Sequence, residues 1–286
     1  MKIVTDCAAD LPAEELEALD ITQAPLFIQF PDDEVNSADL TPDQFYDRLE
    51  AMRPAIPTTA LPSEGIFANI YRKLAETSKQ IMSLHISSGL SGTVNSARRG
   101  GEQVEEAEVT TVDTMTISGG QRFQVLAAAW AAKAGWSIKA IIERLSQISE
   151  NTEVIYTLET LEYLARGGRI GRVQALLGSA LKLKPVIRVE RADGKYSTVA
   201  KSRTIAQSLA TIGDHLAEMY GSIPLWATVL HGRFAEGADA LAKSLSERLN
   251  IKKLEILRIS PVLGVHTGPG IVGAAVLPMR LVEDLI

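Results

Sequence analysis

Short apolar or β-branched runs alternate with amphipathic helical runs along the first half of the chain, and this alternation limits the possible folds more than any other feature. Lys2–Thr5, Ile21–Phe30, Ile81–Ile86, Val109–Val112 and Glu153–Leu158 read as strands. Among the runs between them, Ile138, Ile141, Ile142, Leu145 and Ile148 recur at helical spacing behind Ser137, whose hydroxyl suits an N-cap. Alternation of this kind predicts an α/β fold with a mostly parallel sheet flanked by helices.

The second half has a different texture. Pro185–Glu190, Gly194–Ala200, Leu225–His231, Leu254–Ile259 and Gly273–Leu277 read as strands. Two core-facing helices lie among them, one carrying Ile205, Leu209, Ile212, Leu216 and Met219, the other Ala238, Leu241, Ala242, Leu245 and Leu249. Asp193-Gly194 suits a hairpin turn. These features predict a second α/β domain with a mixed or antiparallel sheet. The expected boundary lies near residue 155, giving domains 1–155 and 156–286.

Composition removes several classes. A hydrophobic share of 46 % over 286 residues is too high for a disordered chain. One cysteine, Cys7, excludes a disulfide scaffold and reads as a small buried residue at a strand end. A net charge of −6 argues against a general nucleic-acid binder. The acids Asp6 and Asp10 near the N-terminus do not fit a signal peptide. Residues 259–279 are uncharged apart from His266, but Pro261, Pro269, Pro278 and several glycines make them buried loop and strand rather than a membrane span. The expectation is a cytoplasmic protein with at most transient membrane contact.

Three polar loops follow first-half strands: Thr5-Asp6-Cys7, Ser87 to Thr93, and Asp113 to Gly120. In parallel sheets such loops gather at the carboxyl edge, where ligands bind. Free N–H groups and hydroxyls suit an anion there, although each loop alone also reads as a turn or cap. In Leu161 to Arg172, Arg166, Arg169 and Arg172 recur every third residue among glycines. Between Glu159 and Arg203 stand ten basic and four acidic residues, a net of +6 that leaves −12 for the rest. The two readings of this segment are an anion or partner surface, and a solvated loop whose arginines bind the chain's own carbonyls and acids.

Residues 268–273 spell G-x-G-x-x-G, but no βαβ unit follows them, so they are not a dinucleotide site. The four histidines lack metal-ligand spacing, and no metal site is expected. A nucleophilic constellation of Ser88 or Ser91 with His266 and Asp6 or Asp113 stands as the alternative, an acyl hydrolase or transferase, without a G-x-S-x-G elbow to support it.

Ile3-Val4-Thr5-Asp6, Asp10-Leu11-Pro12, Ile86 to Thr93, Leu161 to Arg172, Lys182-Leu183-Lys184-Pro185 and His266-Thr267-Gly268-Pro269-Gly270, in that order along the whole chain, resemble the DegV family. The resemblance implies a two-domain α/β protein that binds a long-chain fatty acid in an interdomain tunnel. It also implies that the carboxylate is presented to a separate ATP-binding fatty acid kinase subunit, which makes an acyl phosphate for phospholipid synthesis. The chain itself would then hold no ATP or other cofactor and would not be an enzyme. Carried over by motif, Thr59, Ser91, His266 and Thr267 would contact the carboxylate. Arg169, Arg172 and Arg203 would face the partner or the phosphoryl group. Two positions depart from the family pattern: Cys7 where serine is usual, and Ala60-Leu61 where Ser-Gln is usual.

The chemistry is consistent with that ligand. Burying about sixteen methylenes at ~0.8 kcal/mol each contributes on the order of 10 kcal/mol before ordering costs. The head group then needs only a few donors.

Overall fold

A computed structural model gives the structure of the chain and describes residues 1–176 and 183–286. Lys182 of the family-like Lys-Leu-Lys-Pro run lies outside the described residues.

The first sheet comprises β1 (Lys2–Asp6), β2 (Ile21–Ala24), β6 (Gln80–His85) and β7 (Glu108–Asp113), all parallel, in the order β2-β1-β6-β7. The expected strand Ile21–Phe30 is in fact two. Pro25, which cannot donate a ladder hydrogen bond, separates β2 from β3 (Phe27–Gln29). The latter joins β4 (Glu34–Asn36) and β5 (Thr58–Ala60) in a small antiparallel sheet.

The second sheet has six strands: β8 (Glu153–Thr157), β9 (Lys184–Val189), β10 (Tyr196–Ser202), β11 (Leu225–His231), β12 (Ile251–Arg258) and β13 (Val272–Pro278). Their order is β10-β9-β8-β13-β11-β12, and only β11 and β12 run parallel. The mixed sheet is as predicted. Residue 155 falls inside β8, which pairs wholly within this sheet.

Helices complete five layers. The outer layer on the first sheet is α3 (Glu64–Ala75) and α4 (Thr93–Gly101), around Val4, Phe67, Tyr71 and Ile81. The outer layer on the second is α8 (Ile205–Tyr220) and α9 (Ala235–Arg248), around Ile212, Val229 and Leu241. Between the sheets run α5 (Gly119–Lys133) and α6 (Ile138–Asn151). Ser137 caps α6 by accepting from Ala140 N, as its position predicted. Helix α5 touches β1 and β6 on one side and β8 and β13 on the other. Every residue from Gly119 to Ala129 is buried, because this helix has no solvent face.

Arg122 crosses that shared core. Its guanidinium bonds Glu15, in α1 (Ala13–Ala18), and Glu255 of β12 at 2.9 Å, beside the Trp226 ring. The side chain is almost fully buried, and both carboxylates keep roughly a quarter of their surface in water.

Residues 259–279, expected as loop and strand, contain a short helix, α10 (Pro261–Thr267), before β13. Pro261 at its first position is compatible with helix, since that N–H has no helical acceptor. The G-x-G-x-x-G run ends in an antiparallel strand, which agrees with the rejection of a dinucleotide site. Among the described residues no helix is long and apolar enough to cross a membrane.

Candidate ligand site

Four chain segments converge beside α10. Its last turn presents His266 and Thr267, packed against β5 and against α7 (Glu162–Arg166). Thr59 comes from the middle of β5, and Ser91 from the loop before α4. Arg169 follows α7.

The polar loops interlock to build this edge. Asp113 accepts from the backbone N–H groups of Ser88 and Met115. Ser87 N donates to Thr116 O, and Ser118 N to Ala8 O. The β9–β10 hairpin reaches over them: Ser87 Oγ donates to Gly194 O at 2.9 Å. Gly194 holds a φ of 63°, and a Cβ there would stand 1.8 Å from Ser87 Oγ, so the site needs glycine twice over.

Two hollows join at the four segments. The inner one is a narrow cavity. It is mainly aliphatic, with Ile86, Leu158, Leu164, Ile187 and Ile259 among its lining residues. The second is its mouth, where Thr59, Ser91, His266 and Arg169 meet Ala60 and Leu61. Ile86, Arg169, Leu263 and His266 line both, so the hollows share a wall. Outside the mouth a surface hollow runs over Ser88, Gly89, Gly168, Gly171 and Lys195, again bordered by Ser91 and Arg169.

His266 organises the mouth. Its Nε2 lies 2.9 Å from Thr59 Oγ1, and its buried Nδ1 has no hydrogen-bond partner among the described residues. Burial, assisted by the Arg169 charge, pulls its pKa down to about 4. The ring is therefore neutral at pH 7 and carries one N–H and one bare nitrogen. Ser91 Oγ lies 2.8 Å from Thr93 Oγ1 and accepts the Thr93 N–H. Thr267 Oγ1 donates to Leu263 O, so it faces the inner cavity as an acceptor.

The three arginines separate. Arg169, expected to face a partner or a phosphoryl group, lines the mouth and both neighbouring hollows, with Nη1 donating to Gly167 O. Arg172 is exposed and bonds Asp193 at 2.5 Å. Arg203 is exposed just before α8 and lines none of these hollows. Arg166 bonds Glu162 and Pro54 O. The reading in which these side chains hold the chain's own carbonyls and acids thus fits Arg166, Arg169 and Arg172.

The nucleophilic alternative does not assemble. Asp6 bonds His85, which in turn bonds Ser83, all fully buried behind Tyr71. Asp113 is engaged by backbone N–H groups, and His266 pairs with Thr59. Neither Ser88 nor Ser91 has a histidine and carboxylate aligned behind it. Burial pushes the Cys7 thiol up to about 12, which leaves it a packing group.

The sequence reading gave Tyr156 and Ser118 no role of their own. Tyr156 sits inside a run read only as an apolar strand, and Ser118 inside a loop read only as a source of hydroxyls. Both line the inner cavity.

Comparison with known proteins agrees with this architecture. The family described as uncharacterised protein, DegV family, matches residues 1–279. A DegV domain-containing protein of Clostridium perfringens is 37 % identical over 276 residues, which is 96 % of this chain and 97 % of that one. A DegV family protein from Thermus thermophilus, whose structure is described as showing fatty acid binding, superposes with a TM-score of 0.90 at 30 % identity, covering 97 % of this chain and 99 % of that one. A stearic acid-binding protein from Eubacterium ventriosum superposes with a TM-score of 0.86 at 27 % identity, covering 97 % and 98 %. The chain belongs to the DegV family.

Proposed function

We propose that the chain binds a long-chain fatty acid, with the tail in the inner cavity and the carboxylate at the mouth. The observation that carries this reading is the shared wall between an aliphatic cavity and a cluster of hydroxyls, a neutral imidazole and one guanidinium. A tail needs the first and a head group needs the second. In this reading two domains meet near residue 155, with the whole of β8 in the second. Thr59 and Ser91 come from the first and His266, Thr267 and Arg169 from the second.

In this reading Ser91, Thr59 and His266 bond the carboxylate, and Thr267 shapes the wall behind it. Arg169 supplies positive charge and, among the described residues, closes no ion pair. A carboxylate held mostly by neutral donors stays nucleophilic, which suits transfer of a phosphoryl group to it. The outer hollow, lined by glycines and Lys195, leaves room for a second protein at the mouth. The function is then to present the carboxylate, in the cytoplasm, to a separate ATP-binding kinase subunit for acyl-phosphate formation. Arg172 and Arg203 belong to the docking face.

Lipid extraction of the purified protein, followed by mass spectrometry, tests the binding step. A long-chain fatty acid in the extract, or uptake of added palmitate or oleate, is the expected result. An extract without acyl chains, from protein that also ignores both fatty acids, contradicts it. ATP-dependent acyl-phosphate formation on mixing with a fatty acid kinase subunit tests the presentation step, and no product from lipid-loaded protein refutes that step alone.

A further inference from the structure

The inner cavity is not uniformly apolar. Tyr156, next to the last residue of β8, lines it while only 3 % exposed, and its hydroxyl has no hydrogen-bond partner among the described residues. A buried hydroxyl without a partner is costly, and native proteins rarely keep one without a reason. Space is made for the ring: a Cβ on Gly273, its cross-strand neighbour, would stand 2.5 Å from Tyr156 Cδ1.

A second polar group stands with it. Ser118 lines the same cavity and stands close to the Tyr156 hydroxyl, but the two do not meet hydrogen-bond geometry. Ser118 Oγ donates its proton to Asp10 Oδ2 at 2.5 Å, so its free lone pairs are acceptors. Asp10 is fixed in turn by the Ser260 N–H at 2.7 Å. Both Ser118 and Asp10 hold positive φ, 58° and 51°, a conformation that non-glycine residues keep only when their surroundings impose it. Burial raises the Tyr156 pKa well above the usual tyrosine value, so the hydroxyl keeps its proton and can donate. Donor and acceptor are therefore fixed inside a cavity whose other walls are mainly aliphatic.

A plain acyl chain leaves the Tyr156 proton without an acceptor. We propose that the cavity recognises a long-chain acyl group carrying an oxygen substituent on the chain itself, a hydroxy fatty acid, whose hydroxyl accepts from Tyr156 and donates to Ser118. This rests on the fatty-acid reading above and names the ligand class within it. Recognition by hydrogen bonds to a buried hydroxyl discriminates strongly, because the analogue without it leaves the protein's groups unpaired.

The experiment is a competition titration of stearate and of 3-, 10- and 12-hydroxystearate against the wild-type chain and Tyr156→Phe, which changes almost no volume. The preference is read as the ratio of hydroxystearate to stearate affinity within each protein, so a change in stearate affinity itself does not enter it. At least one hydroxystearate should bind the wild type fivefold or more tighter than stearate, and lose that advantage in Tyr156→Phe. The proposal is overturned if no hydroxystearate exceeds stearate on the wild type, or if the preference survives in Tyr156→Phe. If stearate binds and no preference appears, the fatty-acid reading stands and only this inference fails. If neither stearate nor any hydroxystearate binds the wild type, both fail.

Discussion

His266 Nε2 lies 2.9 Å from Thr59 Oγ1, across 207 positions of sequence, and this contact joins the small antiparallel sheet to the last turn of α10. It leaves Nδ1 buried and unpaired on a ring whose pKa is about 4. The ring thus arrives at the mouth uncharged, with its orientation set by a hydroxyl rather than by a carboxylate. That distinguishes it from a catalytic histidine, which is oriented by an acid.

The depressed His266 pKa has a consequence for stability against pH. Free imidazole titrates near 6.5, so between pH 6.5 and 4 the unfolded chain binds a proton that the folded chain excludes. Stability from this group is complete above pH 6.5 and falls as the pH drops toward 4, by about 3 kcal/mol. Asp10 acts oppositely over nearly the same window. Burial lifts its pKa from 3.8 to about 6, so its contribution is lost as the pH rises through that range. The wild type partly balances the two. His266→Asn should become more stable relative to the wild type as the pH falls from 7.5 to 4.5, measured by chemical denaturation. Parallel curves for the two proteins contradict the burial assigned to His266.

Ser91→Ala removes one hydroxyl from the mouth without disturbing a packed core. Loss of a hydrogen bond to a buried carboxylate costs about 1–3 kcal/mol. Fatty-acid affinity should fall by roughly 5- to 150-fold in a displacement assay. An unchanged affinity takes Ser91 out of the site.

The strands, their alternation with helices and the change of sheet type at the middle of the chain are visible in the sequence because each follows from local periodicity. β11 occupies the predicted residues, Leu225–His231, and α6 begins behind its predicted cap. The break at Pro25 was missed because Ile21–Phe30 reads as one mostly apolar run, and only the three-dimensional partners of β2 and β3 set its two halves apart. Helix α5 shows little amphipathic pattern, since two sheets bury it from both sides. For the site, hydroxyl-rich loops and the His-Thr-Gly motif marked the mouth. Arg169 was grouped with Arg172 and Arg203 as facing a partner or a phosphoryl group, because periodicity does not tell which of three equally spaced arginines borders the mouth. Tyr156 carries no local sign of its role: a tyrosine in an apolar strand reads as core, and only the absence of a partner for its hydroxyl sets it apart.

Arg122→Ala should destabilise the fold without touching the mouth. It leaves Glu15 and Glu255 facing each other across the space between the sheets and opens a void beside Trp226. Removing one member of a buried ionic cluster costs about 3–5 kcal/mol. Both carboxylates are partly hydrated, so a loss near 3 kcal/mol is expected in urea denaturation. A loss below 1 kcal/mol shows that the guanidinium does not hold the two sheets together.

Arg203→Ala should leave fatty-acid binding within twofold of the wild type, because this side chain lines none of the three hollows. Turnover by a fatty acid kinase subunit should fall, chiefly through weaker association that depends on salt. Weakened lipid binding with normal kinase turnover reverses the assignment of Arg203 to the docking face.

The central claim is the placement of one amphiphile across the shared wall of the two hollows. The most direct measurement is a crystal structure of the chain grown with stearate, with the ligand density calculated before any ligand is built. The account predicts a carboxylate within hydrogen-bond distance of Thr59, Ser91 or His266, and a tail running past Ile86 toward Ile187. An empty cavity at saturating stearate, or a carboxylate at the Tyr156 end with the tail pointing out through the mouth, contradicts it.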